Sequence, residues 1–125
     1  MIENFNDNFR ELCLNLKIDE RKFILGLSGG IDSMALLSLL KRFIVSNKSL
    51  KIEVFPVIID HDLRSNSSNE AKAIQDIAIS HGFKTIIKKI IIKKPSGNIQ
   101  NWARKERRRI LCDVAFEFSA NLILG

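Results

Sequence analysis

Apolar residues along this chain recur with two different periods, and the alternation between them lays out the elements. Ile2, Phe5, Phe9, Leu12 and Leu16 step by three and four, which makes one face of an N-terminal helix apolar. The next run, Lys22-Phe23-Ile24-Leu25-Gly26-Leu27, is short and almost wholly apolar, the pattern of a buried strand. A stretch rich in Leu and Ala predicts a second helix from Ser33 to about Ser46. Residues 51–60, KIEVFPVIID, read as a second strand ending at Asp60. Pro56 has no N–H to give to a ladder, so a bulge or an unpaired side is expected there. Ser67 and Glu70 have capping-box spacing and Gly82 is a stop signal, which predicts a third helix over about 68–81. FKTIIKKIII, 83–92, is a third strand, and KKPSGN, 93–98, a loop. Asn98 to about Ser119 is a long fourth helix, and NLILG, 121–125, a last strand.

The order is a helix followed by β-α-β-α-β-α-β. Strands that alternate with helices predict an α/β fold, a Rossmann-like parallel sheet with helices on both faces. No internal repeat, low-complexity segment or linker divides residues 1–125, which read as one domain. In such sheets ligands sit at the carboxyl ends of the strands. Three polar stretches fall at such ends: SGGIDS after the first strand, DHDLR after the second and KKPSGN after the third.

Composition adds three constraints. At 46% hydrophobic the chain has enough apolar surface for a packed core. No apolar run is long enough to span a bilayer, and Glu3, Asp7 and Glu11 break the pattern of a signal peptide, so a cytoplasmic protein without a membrane segment is expected. Cys13 and Cys112 form neither a C-x-x-C pair nor a His/Cys cluster, and read as ordinary core or surface thiols. Charge is uneven: residues 1–83 hold 10 basic and 11 acidic side chains, residues 84–125 hold 10 and 3. The excess of +6 therefore lies in the C-terminal third, which fits a polyanionic partner or a solvated basic face.

The junction Gly26 to Ser33, GLSGGIDS, is the densest chemical signal. A strand-to-helix turn leaves backbone N–H groups unpaired, and the helix dipole makes them electropositive. Gly29 and Gly30 remove two Cβ atoms from the path of an anion, and Ser28 and Ser33 add hydroxyl donors. Asp32 would repel a phosphate unless a cation lies between, an arrangement that suits magnesium bridging its carboxylate to a nucleotide. The alternative is a tight turn with Asp32 or Ser33 as helix cap. The position of the whole block between a buried strand and a helix favours phosphate binding. No Gly-Lys-Ser/Thr follows, and G-x-G-x-x-G is absent.

SGGIDS is the signature of the PP-loop ATP pyrophosphatases, and the chain resembles that family. DHDLR, Asp60 to Arg64, resembles the D-H-G-L-R block of bacterial tRNA(Ile)-lysidine synthetases. GNIQNWARKERRRIL resembles their G-N-x-Q-x-x-A-R-x-x-R-Y block, matched here by Gly97, Asn98, Gln100, Ala103, Arg104 and Arg107. Asp62 stands where glycine is usual, and Arg108 where tyrosine is usual. The family continues into a His-His-x-Asp-Asp block and C-terminal substrate-recognising domains, whereas this sequence stops at Gly125. The resemblance thus implies an N-terminal fragment, incomplete at the C-terminal side of the sheet, from a broken frame, a split gene or a truncation.

It also implies a reaction: ATP adenylates C2 of the wobble cytidine of a tRNA(Ile) with CAU anticodon, and lysine displaces AMP to give lysidine. The implied ATP-binding residues are Ser28, Gly29, Gly30, Ile31, Asp32 and Ser33, joined by Asp60 and His61 after the second strand. Magnesium falls to Asp32. Asp32, Arg104 and Arg107 are the implied catalytic residues. The two arginines are three apart on the fourth helix, placed to neutralise phosphate, to grip RNA, or simply to form an exposed basic face. For His61 a structural role and a catalytic one both stand open, and for Trp102 both core packing and base stacking. Two other classes remain. One is another PP-loop tRNA modifier such as a 2-thiocytidine enzyme, which generally carries C-x-x-C pairs. The other is a non-catalytic remnant that binds nucleotide or RNA.

Overall fold

The computed structural model describes residues 2–27, 31–61, 66–90, 95–120 and 122–124. For Ile2, Glu3, Ile31, Asp32 and 122–124 it describes the backbone alone. The elements run α1 (Ile2–Asn15), β1 (Lys22–Leu27), α2 (Ile31–Ser46), β2 (Glu53–Asp60), α3 (Ser67–Ser80), β3 (Ile86–Lys89), α4 (Ile99–Glu117) and β4 (Leu122–Leu124). Short 3-10 turns at Ile18–Glu20 and Lys48–Leu50 precede β1 and β2.

The four strands form one parallel sheet in the order β3-β2-β1-β4. The chain steps outward from β1 to β2 to β3, then returns across two strands to lay β4 beside β1. Right-handed crossovers put the helices of outward steps on one face and the helix of the return on the other. The core divides accordingly. Phe23, Leu25, Leu27, Val54 and Ile58 pack with Phe9 and Cys13 of α1, Leu37, Leu40 and Phe43 of α2, and Ala71 and Ala78 of α3. Ile24 and Val57 face the other way, onto Ile110, Leu111, Val114 and Ala115 of α4. The period-two alternation of β1 thus sorts its side chains between two cores. Within the larger core Phe9 stacks edge-on against Phe43, with ring centroids 5.0 Å apart.

Local departures from the sequence reading have plain causes. Helix α2 starts two residues earlier than expected, at Ile31. Pro56 makes no bulge: the register runs one-to-one through Leu25↔Pro56, and the ladder to β3 begins only at Val57↔Ile86. The missing N–H therefore coincides with a place where β2 has a partner on one edge alone. The capping box at Ser67 does not form. Asn66 precedes the helix, the Glu70 amide bonds to the Asn66 carbonyl at 2.9 Å, and the Ser67 hydroxyl is buried without a partner. Gly82 does end α3. At φ +90° it lets the Phe83 amide reach back to the Ala78 carbonyl at 3.2 Å, with Phe83 and Ala78 both buried. Strand β3 is shorter than 83–92, spanning four residues. Among the described residues no helix is long and apolar enough to cross a membrane.

One buried charge ties these layers together. The Arg21 guanidinium, 7% exposed, donates from Nε to the Cys13 carbonyl (2.7 Å), from Nη2 to the Leu16 carbonyl (3.1 Å) and from Nη1 to the Leu50 carbonyl (2.9 Å). Two of these acceptors belong to the C-terminal end of α1, where a cation also complements the helix dipole. The third belongs to the turn before β2, and the Arg21 carbonyl accepts from the Glu53 amide at 3.0 Å. Replacing Arg21 by Met removes three charged hydrogen bonds; the Cys13 carbonyl keeps the Leu16 amide at 3.1 Å, while the Leu16 and Leu50 carbonyls lose the guanidinium donor. Arg21→Met is expected to lower unfolding stability by about 3 kcal/mol, since bonds from a charged donor are each worth roughly 1.5–3 kcal/mol and are not additive. Urea unfolding checks this, and an unchanged midpoint would show that the anchoring is not energetic.

Candidate functional site

The carboxyl ends of β1 and β2 lie side by side, at Leu27 and Asp60, and three features converge there. The first is the β1–α2 junction. Ser28, Gly29 and Gly30 lie outside the described residues, but Leu27 ends the strand and Ile31 opens the helix. Ile31, Asp32 and Ser33 therefore stand in the first turn of α2, where backbone N–H groups lack intrahelical acceptors. Ser33 is partly buried and already has a partner.

The second feature is the end of β2. Asp60 is 4% exposed and its carboxylate accepts a hydrogen bond from the Ser68 hydroxyl at 3.0 Å, in the first turn of α3. A carboxylate at a helix N-terminus is favourably placed against the dipole, so Asp60 pins α3 to the sheet. It also takes up the amide of Ile90 through its carbonyl, at 2.9 Å. His61 follows, partly buried, with Nδ1 out of solvent and without a hydrogen-bond partner. Burial pushes the His61 imidazole below its ordinary pKa; the neighbouring Asp60 carboxylate opposes this and the Arg107 guanidinium adds to it.

The third feature is the N-terminal half of α4, which crosses back over these strand ends. A Cβ placed on Gly26 would meet Arg107 Nη2 at 2.5 Å and Leu111 Cδ1 at 3.0 Å. The tip of Arg107 thus rests where a side chain at position 26 would stand. The guanidinium then sits between the β1 end and His61. Arg104, Arg107, Arg108 and Leu111 line a cleft of about 190 Å³. Their spacing of three, four and seven residues puts all four on one stripe of the helix. Around the helix Arg109 is occupied by Glu106 (2.8 Å) and Asp113 (3.2 Å). Trp102 packs against Ile24, Val57 and their neighbours, so its role is core packing; its Nε1 is buried without a partner.

The structure thus brings together Asp60, His61 and Arg107, with α2's first turn beside them and Arg104 on the same cleft. Asp62 and Arg64 lie outside the described residues. Sequence reasoning missed Gly26 as a site residue: it belongs to the GLSGGIDS block, but its importance depends on a helix 80 positions later. It missed Ser68 too, because the hydrogen bond to Asp60 crosses a turn that the sequence pattern does not resolve.

A family model described as a PP-loop domain matches residues 1–125. The chain is 38% identical over 104 residues to a tRNA(Ile)-lysidine synthase of Bartonella quintana (strain Toulouse), covering 83% of this chain and 22% of that protein. To a protein of the same name from Thermosipho africanus (strain TCF52B) it is 29% identical, covering 98% of this chain and 29% of the relative. The chain therefore spans less than a third of the length of these relatives. Among solved structures, the U34-tRNA thiolase NcsA from Methanococcus maripaludis shares the fold, with a TM-score of 0.69 at 20% identity over 83% of this chain and 37% of that one.

The electrostatic influence of Arg107 on His61 has a direct readout. Removing the guanidinium removes a cation that disfavours protonation, so Arg107→Met is expected to raise the His61 pKa. Gly26→Ala, whose methyl would displace the tip of the Arg107 guanidinium, is expected to move it the same way. An NMR titration of the imidazole checks both variants; identical titration curves in all three proteins would mean that the guanidinium does not face the ring.

Proposed function

The chain belongs to the PP-loop family, and on that premise we propose that it forms the ATP-handling part of a tRNA(Ile)-lysidine synthase, a carbon–nitrogen ligase acting in the cytoplasm. The observation that carries this reading is the guanidinium of Arg107 resting on Gly26 near the carboxyl end of β1, the strand that leads into α2. A helix N-terminus and a guanidinium at the carboxyl end of the same strand are the groups with which such a sheet would receive a polyphosphate. The names of the curated relatives supply the acceptor, a tRNA(Ile).

In the proposed reaction the C2 oxygen of the wobble cytidine attacks the α-phosphate of ATP, and the bond to pyrophosphate breaks. The resulting adenylate turns a poor leaving group into AMP, which the ε-amine of lysine displaces from C2. The residues of this chain act by position and charge. The junction amides with Ser28, Gly29, Gly30, Ile31 and Ser33 hold the phosphates. Arg107 neutralises negative charge that builds on the departing pyrophosphate. Asp60 holds α3 in place through Ser68 and sets the position of His61, which stays neutral beside Arg107 and lines the nucleotide pocket.

Magnesium fits this arrangement in one way. Among the described residues no three His, Cys, Asp or Glu side chains gather into a cage. Magnesium with nucleotides needs only one or two carboxylates besides the phosphates, and Asp32, a residue of the first turn of α2, would supply one. When bound there it would withdraw charge from the phosphate chain.

A thiolation chemistry is the competing reading, given the thiolase of similar fold. The two cysteines of this chain do not share a site. Cys13 is buried in the core beneath α1, its thiol pushed up in pKa by burial, while Cys112 is exposed on α4 across the sheet. They cannot act on one substrate atom from opposite faces of the sheet.

Calorimetry of ATP binding tests the reading. Affinity should rise with magnesium in the wild type, and Asp32→Ala should lose most of that gain while keeping the magnesium-free affinity. Equal affinities for both proteins with and without magnesium would remove Asp32 from the site.

A further inference from the structure

Helix α4 carries five consecutive or near-consecutive cations, Arg104, Lys105, Arg107, Arg108 and Arg109, and they are not equivalent. Arg109 holds both acidic groups within reach, Glu106 and Asp113. Arg107 is half-buried between Gly26 and His61. Arg104 and Arg108 are exposed, lie one helical turn apart on the cleft, and make no ion pair among the described residues. Like charges at this spacing repel and weaken a helix. Folding alone would favour an acidic or neutral residue at one of the two positions.

From this division of labour we infer that Arg104 and Arg108 form a clamp for an RNA phosphodiester, separate from the nucleotide phosphates handled beside Arg107. The inference rests on the tRNA-modifying reading above and deepens it by assigning the RNA to the outer lip of the cleft. Two forked guanidinium groups over the apolar floor of Leu111 can each give a phosphate two parallel hydrogen bonds. The cleft opens at the carboxyl end of the sheet, so a backbone gripped there brings a neighbouring base toward the β1 end.

The test compares RNA with small phosphates on the whole chain. A tRNA(Ile) transcript is titrated over a range of salt, and ATP with magnesium and inorganic pyrophosphate are titrated separately. For Arg108→Gln and Arg108→Tyr, the slope of log K against log salt should fall by about one, because one phosphate contact is lost. Arg104→Gln should do the same, and the double variant should lose about two. ATP affinity of the Arg108 variants should stay within about twofold of the wild type. Thermal unfolding without ligand should show Arg108→Gln at least as stable as the wild type, since a repulsion is relieved. An unchanged salt slope would make the pair a solvated face and overturn the inference. A parallel loss of ATP or pyrophosphate affinity would place both residues in the nucleotide site and overturn it as well. Failure of the proposed function reads differently: the wild type would then bind no ATP, whatever residue stands at position 108.

Discussion

Everything at the functional end of this molecule depends on β1 being enclosed. Phe23, Ile24, Leu25 and Leu27 are 0–3% exposed, and the strand pairs with β2 on one edge and β4 on the other. A strand buried on both faces needs helices above and below it, and burying side chains of this size stabilises the fold by roughly 1.5–3 kcal/mol each. The return from β3 to β4 supplies the second cover. That same return carries the basic part of α4 over the β1 carboxyl end, so the packing requirement of the core and the placement of the cations are one event. Gly26 is where they meet: it closes the apolar run and leaves the space that Arg107 fills.

Most of this was legible in the pattern of the chain. Two periods, 3.6 and 2, separated the helices from the strands, and their alternation implied the parallel sheet. The stop at Gly82 was readable because a left-handed residue there has no good alternative to glycine. Boundaries were less readable where two signals competed. At Ser67 the capping-box spacing was present, yet the backbone of Asn66 took the Glu70 amide, because Asp60 at the end of β2 drew the next serine, Ser68, and fixed the helix one residue differently. At Pro56 the second of the two expected outcomes is found: there is no bulge, and the short partner strand leaves β2 unpaired on that edge.

The site was legible by type and not by assembly. The spacing of Arg104 and Arg107 placed both on one helix face, and the structure keeps them on one cleft but gives them different surroundings. Burial against Gly26 and His61 depends on contacts between residues 26, 61 and 107, which no local pattern encodes. The anchor at Arg21 was invisible for the same reason: a lone arginine before a strand looks like a surface charge until three carbonyls from two separate turns are found around it.

The electrostatics of the strand ends then follow from the fold. The N-termini of α2 and α3 both open at the carboxyl ends of parallel strands, so their partial positive charges add to the guanidinium of Arg107. Asp60 is the anionic counterweight beneath them, buried and committed to Ser68, and it is too deep to neutralise the outer cleft. His61 lies between that carboxylate and Arg107, and burial together with the guanidinium outweighs the carboxylate, so the ring adds no further charge near neutral pH. The cationic groups at this end thus lie at two levels, Arg107 half-buried and Arg104 and Arg108 exposed. The proposed ligands, a triphosphate at the β1 end and a polymer backbone along the exposed turn of α4, would match them with charge at more than one depth.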